Sequence, residues 1–334
     1  MEEHKMRYLG DYLQWTHESL ESYIKIVKES EPRLRSCYAE TIGFSSDGFV
    51  KIILVDSASI IDVLLRFSIP EFQDEHERIF NKPFMLQDVR PELLLLENQL
   101  PFFILEELCK PDKITLPSGC SENLSMIELS RKFFTKFLPL EGTEEKLEEI
   151  ERANVAHFVD FLRKWYIPSK PRNGGKCKCL TAPGMTELHR AGVNETELIL
   201  GNLIAFEQCH CDDNYLNDYV IIMYRLVSTP TDMDLLVRHG IVVNGIGDSG
   251  GGATLINKFV DVVIINSYAF YFADICEEQN VFCRSFRYIL KAIWLSWKKN
   301  LKEKYFNTPW AVMSVIVATL LLVLTIIQTV CSII

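Results

Sequence analysis

Positive charge is scarce in this chain. Lysine and arginine number 35 against 45 aspartates and glutamates, giving a net charge of −10 and a sequence pI near 5.3. A general nucleic-acid binder needs a basic face, so the balance argues against a nucleic-acid partner. A regular cysteine framework is missing too. The 10 cysteines fall at irregular spacings, and Cys109 and Cys276 lie in apolar helical patterns where a thiol packs like a small hydrophobe. That usage predicts a reducing compartment. Met1-Glu-Glu-His-Lys opens the chain with no apolar core behind it, which predicts no secretory signal. The glycosylation triplets Asn123-Leu-Ser125 and Asn194-Glu-Thr196 are then expected to be unused.

Apolar residues are abundant, 48% against 24% charged in 334 residues, so the chain can bury a large core and is not disordered. The densest internal apolar stretch is Asp88 to Leu108. Leu93, Leu94, Leu95 and Leu96 run without a break, Glu97-Asn98-Gln99 interrupts, and Leu100-Pro101-Phe102-Phe103-Ile104-Leu105 follows. Proline lacks an amide donor and fits only the first turn of a helix. The pattern predicts a helix ending near Glu97, a polar elbow, and a second helix from about Leu100. Three polar side chains between apolar runs are expected to be buried and bonded to free backbone groups at the helix ends.

Asp88, then Glu92-Leu-Leu-Leu-Leu-Glu97-Asn98-Gln99-Leu-Pro101-Phe-Phe-Ile-Leu105, resembles the signature of the plant DUF247 (UPF0481) family. Arg35-Ser-Cys-Tyr-Ala-Glu40, Thr186-Glu-Leu-His-Arg-Ala-Gly-Val193 and Leu200-Gly-Asn202-Leu-Ile-Ala-Phe-Glu207-Gln208 resemble further family segments. The resemblance implies a plant membrane protein of largely unknown biochemistry. Some grass members are linked to pollen–stigma self-incompatibility. Two departures stand out. Residues 1–9 resemble an internal segment, with the family's basic and Gly-Pro-Tyr-His elements absent before them. Only Asn194 to Ile199 separate two motifs that most relatives hold about two dozen strand-forming residues apart. A more purely helical chain than its relatives is expected.

Periodicity predicts an amphipathic helix over Tyr8–Glu29, burying Tyr12, Trp15, Leu20, Tyr23, Ile24 and Val27. Pro32 predicts a break, with a short helix over Leu34–Glu40. Ser46 or Asp47 is the expected N-cap of a helix over Gly48–Phe67, apolar nearly all round and hence central. Lys51, Asp56, Asp62 and Arg66 speak against a span there. Further helices are expected over Leu124–Leu138, Val155–Trp165, Tyr215–Val227, Asp232–Gly240, Ala253–Tyr271 and Phe282–Tyr305. Glu141–Arg152 reads as an exposed helix start or linker. Loops are expected near 70–82, 110–123, 168–184 and 241–252.

Trp310 to Ile334 carries no charge over 25 residues, whereas a span needs roughly 20. A buried core helix is the other reading, and this length exceeds a typical one. Pro309 fits its first turn, and Trp310 suits the lipid–water boundary. Lys298, Lys299, Lys302 and Lys304 precede it, with Lys291 further back, and could touch anionic headgroups. The positive-inside rule then keeps the body cytosolic, a single-pass tail-anchor topology, with the plasma membrane a candidate.

Several motifs invite an enzymatic reading. Gly245, Gly247 and Gly250 spell the dinucleotide fingerprint, but no strand–helix alternation surrounds them. Gly247-Asp-Ser249-Gly-Gly251 matches the trypsin-like nucleophile motif, yet the nearest histidine motif, Val155-Ala-His157-Phe158, is helical in pattern. Cys177-Lys-Cys179 and Cys209-His210-Cys211 offer soft ligands at a spacing unlike structural zinc sites. The acidic pairs Glu106-Glu107, Asp212-Asp213 and Asp232/Asp234 read as caps and surface charges. No catalytic, cofactor or metal residue is therefore expected.

The expectation is a mainly α chain: one helical domain, 1–305, and a transmembrane anchor, 310–334. Asp88, Glu97, Asn98, Gln99, Pro101, Asn202, Glu207 and Gln208 are expected to be structural. The expected partners are a lipid bilayer, through Trp310–Ile334, and an unidentified protein met through loops 71–82 and 168–184. The leading function is non-catalytic recognition. The rivals are an enzyme using Gly245–Gly252, or a tail-anchored scaffold without specificity.

Overall fold

The computed structural model describes residues 2–74, 78–82, 85–116, 125–138, 143–168, 193–227, 229–238, 254, 257–260, 263, 270–284, 290, 293–294, 296–298, 300 and 309–333. Among the described residues there are helices and turns and no strand, so the mainly helical expectation holds. Two compact units divide between Tyr271 and Phe272.

The first unit begins with α1 (Glu2–Thr16) and α2 (Leu20–Ser36). One continuous helix was expected here. The chain instead turns at His17, whose φ of 52° lies in the left-handed region, and restarts behind Ser19. The Ser19 hydroxyl accepts from the Ser22 amide at 3.2 Å, an N-cap that satisfies one free donor. The apolar spacing on both sides keeps the same period, so the break left no mark in the pattern. Pro32 does not end α2. It sits exposed in the penultimate turn, where its ring meets solvent. The last turn is held instead by fully buried Leu34 and by Arg35, which donates to Glu31 and to the carbonyls of Ile42 and Phe44. The separate helix expected over Leu34–Glu40 is therefore the end of α2.

The centre of the unit is α3 (Ser46–Ser68), capped by Ser45 one residue before the expected position. It packs against α1, α2, α6 (Phe102–Leu108) and α7 (Met126–Phe133). Contact on so many sides explains its nearly all-round apolar pattern. Two charges are nonetheless inside it. Arg66, 1% exposed, donates to Asp62 at 2.6 Å, to Asp11 on α1 at 2.6 Å and to the Phe72 carbonyl at 2.7 Å. Its guanidinium lies 4.8 Å from the Trp15 ring, which stacks on Phe72 at 4.2 Å. One arginine thus fastens α1, α3 and the turn Pro70–Phe72.

Short helices α4 (Arg78–Asn81) and α5 (Met85–Glu92) precede the elbow. After α7 come α8 (Thr143–Arg152) and α9 (Phe158–Tyr166). The next is α10 (Val193–His210), which has apolar residues on two faces. Ile199, Leu203 and Phe206 join the main core, while Leu200 and Ile204 form a second cluster with Val220 and Phe259. Its neighbour α11 (Tyr215–Leu226) carries Val220, and α12 (Pro230–Arg238) follows. Cys109 is 3% exposed, and burial pushes its thiol up to about 12, so it packs as an unreactive apolar group.

The second unit contains α13 (Ala273–Arg284), helical residues between 290 and 300, and α14 (Pro309–Ile333). The 25-residue α14 has no charge in its first or last turn, and its described apolar side chains are exposed. Among the described residues no helix is long and apolar enough to cross a membrane. The expected span over Trp310–Ile334 thus finds a helix with matching bounds, while the crossing of a bilayer is not shown.

Asp62→Ala would leave Arg66 buried with a weaker set of acceptors. It is expected to cost about 3–5 kcal/mol in urea unfolding, the range for breaking a buried pair. The exposed pair Arg152–Glu148 serves as control, where Glu148→Ala should change stability by less than about 1 kcal/mol.

Candidate functional site

The signature elbow is built differently from its pattern. The leucine run does not continue the helix: α5 stops at Glu92, and Leu93 to Asn98 descend through successive tight turns. Pro91, inside α5, is buried, and Leu94 is the leucine driven furthest into the core. Glu97 and Asn98 are exposed rather than buried, and Asp88 is exposed as well. Only Gln99 is partly enclosed. Its amide nitrogen donates to the carbonyls of Leu93 and Leu95 at 2.9 and 2.7 Å. Its amide oxygen accepts from the Val159 amide at 3.3 Å, in the first turn of α9. Pro101 is buried at the N-cap of α6, one residue before the helical position expected for it, and the next amide, Phe102, donates to the Ala156 carbonyl at 2.7 Å.

The second motif meets the first. On α10, the Asn202 side-chain oxygen accepts from the Leu96 amide at 3.0 Å. One turn further on, Glu207 is fully buried. One of its oxygens accepts from Arg163 Nη2 at 3.0 Å and the Leu216 amide at 3.1 Å; the other accepts from the Asn217 amide at 2.9 Å and its side chain at 2.8 Å. Glu207 therefore caps the start of α11 from a neighbouring helix, a role usually given to the residue just before the helix. Asn214, at the local cap position, makes no side-chain cap bond. Gln208 donates to Asn217 at 2.7 Å, and Arg163 also pairs with Asp213.

His157 caps α9 through its Nδ1, which accepts from the Asp160 amide at 3.3 Å, while its ring stands edge-on to Phe206 of α10. Burial pushes this imidazole down to about 4. A neutral ring is also what the cap requires, because a protonated Nδ1 has no lone pair to accept with. The Val155-Ala-His157 motif is thus a helix cap.

A groove of about 540 Å³ opens beside the elbow. Its apolar walls include Tyr8 of α1, Ile53 and Ile60 of α3, and Met85 and Val89 of α5. Glu92, Glu97 and Asn98 stand on its polar edge, as does the ion pair Lys5–Asp56 at 2.7 Å. The volume suits an organic ligand or a few side chains. What its walls offer such an occupant is shape and apolar contact.

Among the described residues no group of acidic, histidine or cysteine side chains could hold a metal ion. Cys209 is exposed and Cys211 half-buried at the end of α10; Cys177 and Cys179 lie outside the described residues. So do Ser249 and the rest of Gly245–Gly252, Asn123, Lys299, Lys302, Lys304 and residues 169–184. The helix expected over Ala253–Tyr271 is described only in part. Sequence reasoning missed Arg163, Asn217 and His157. Arg163 and Asn217 act through Glu207 on another helix, and His157 caps α9 through the nearby Asp160 amide; Asp62 and Arg66 read in the sequence only as charges that oppose a span.

A helical body locked by two polar motifs, followed by an uncharged apolar helix, defines the class of protein. The chain belongs to DUF247, a family described as plant protein of unknown function, whose profile matches residues 1–195 and 193–324. It is 30% identical over 146 residues to the UPF0481 protein At3g47200 of Arabidopsis thaliana, covering 44% of this chain and 29% of that relative. It is 21% identical over 145 residues to the putative UPF0481 protein At3g02645 of the same plant, covering 43% and 26%. The matched part is thus under a third of either relative's length. No solved structure matches the chain.

Glu207→Ala is expected to cost about 3–5 kcal/mol, since it leaves the buried Arg163 guanidinium with exposed Asp213 as its remaining carboxylate and strands two helix-start amides. Chemical denaturation read by far-UV circular dichroism measures it. His157 supplies a pH test. The unfolded imidazole titrates near 6.5 and the folded one near 4, so the unfolded chain takes up a proton that the folded chain refuses. Stability from this group is complete above about pH 6.5 and falls as pH drops towards 4, by up to about 3 kcal/mol. His157→Asn keeps a capping acceptor and should flatten that part of the slope.

Proposed function

We propose that this chain is a non-catalytic interaction protein held at a membrane by α14, with its helical body on the cytosolic face. The carrying observation is α14 itself, a 25-residue helix with no charge in its first or last turn, exposing Leu320, Leu321, Leu322 and Leu324 by more than half. In water such a helix would leave a large apolar area unburied, which soluble monomers avoid. In a bilayer the same side chains meet acyl chains and every backbone bond is internal to the helix. Trp310, 83% exposed, stands at its entry, where an amphipathic ring suits the boundary. The lysines before it, Lys298 to Lys304 in the sequence, support the cytosolic orientation. The groove beside the elbow and the loops are the surfaces through which the body would meet a protein partner. Family membership supports a plant setting, and recognition in reproduction is one role such a protein could serve.

Alkaline carbonate extraction of membranes containing the full chain tests the anchor. The wild type should stay in the pellet. Leu320→Lys with Leu324→Lys, at roughly 2.5–3.5 kcal/mol for each mid-span charge, should release it. A wild type washed off by carbonate would overturn the reading.

A further inference from the structure

The described residues 290, 293, 294, 296–298 and 300 of the second unit are helical. Four of them are large apolar side chains in the open: Leu290 at 49%, Ile293 at 44%, Trp294 at 59% and Trp297 at 67% exposure. Their spacing, i, i+3, i+4 and i+7, places all four on one stripe about 100° wide at 3.6 residues per turn. Ser296 and Asn300 fall outside that stripe on one side. Lys298 flanks it on the other, with its ammonium 5.3 Å from the Trp294 ring. Lysine beside tryptophan lets the ring go down while the charge reaches up.

We propose that Leu290, Ile293, Trp294 and Trp297 form a lipid-docking face that lies in the plane of an anionic membrane surface. The occupant is the headgroup and upper acyl region of a bilayer carrying anionic lipid. Three observations select it over a protein partner. Two of the four side chains are tryptophans, the residue that favours the lipid–water boundary. The flanking charge is positive in a chain that is acidic overall, so it complements anionic headgroups and not the average protein surface. The face also leads along the chain into α14, and the docking rests on that helix being the anchor of the same membrane. An in-plane helix buries its apolar stripe without crossing, so it would lay the segment before α14 against the bilayer.

Full chain reconstituted into vesicles of phosphatidylcholine, with or without phosphatidylserine, tests this. The joint fluorescence of Trp294 and Trp297 is the difference between wild type and Trp294→Phe/Trp297→Phe. Phosphatidylcholine brominated near the top of its acyl chains should roughly halve that difference signal, since an in-plane helix sits about 5–10 Å into the boundary. Deep bromines should quench it less. In the full-length Leu320→Lys/Leu324→Lys chain, phosphatidylserine-dependent flotation should persist, and adding Trp294→Gln/Trp297→Gln should weaken it about tenfold. Unquenched tryptophans in a carbonate-resistant wild type would overturn the docking face and leave the anchor standing. Quenched tryptophans in a carbonate-released wild type would do the reverse. Flotation unaffected by the tryptophan changes would also overturn the face.

Discussion

Glu207 is a carboxylate with no exposure, and its burial is tolerable only because five donors converge on it: two from Arg163, the Leu216 amide, and the amide and side chain of Asn217. Those donors come from α9 and α11, so the position of three helices is set by one acceptor. Removing the shared acceptor leaves the buried Leu216 and Asn217 amides unpaired, a cost larger than the net worth of the bonds themselves. The constraint reaches further through α10. Asn202 on the same helix accepts from Leu96, and Gln99 in that turn accepts from α9. The two family motifs are one bracket around α9.

A second bracket closes the other side of the body. Arg66 joins α1, α3 and the turn after α3 through charged and aromatic contacts. Between the two lies a continuous aromatic core, in which Phe102, Phe134 and Phe158 meet edge to face. Both brackets use buried charge where apolar packing would hold as well or better. What they supply is register: a guanidinium fork accepts few geometries, so helices with similar apolar faces cannot slide. A body fixed in this way can present a groove and an exposed elbow without reshaping itself.

Much of this was legible. The helical class, the central α3, the bounds of α14 and a new helix starting at the Pro101 step follow from period, proline chemistry and uncharged length, while the helix expected to end near Glu97 stops at Glu92. The single break at His17 was not, because apolar spacing is identical on both sides and a lone left-handed residue carries no composition signal. Pro32 misled because proline excludes only one backbone bond when its ring faces solvent. At the elbow, burial was assigned to all of Glu97, Asn98 and Gln99, whereas only Gln99 is partly enclosed; the expected bonding to backbone groups is made by Gln99 and by exposed Asn98, which donates to the Glu92 carbonyl at 3.3 Å. Glu207 read as part of a motif, but its work of capping a helix that starts eight positions later needed the fold. The Trp294–Trp297 stripe lay within an expected helix and was visible only once exposure was known.

The central claim is that the signature polar residues are helix-capping devices. Residue-resolved hydrogen exchange on the full chain in membranes tests it most directly. The Val159, Leu216 and Asn217 amides, at helix starts that normally exchange early, should exchange only through global unfolding, because Gln99 and Glu207 accept from them. Exchange of these three amides at the rate of frayed helix ends, with the α3 core still protected, would contradict the account.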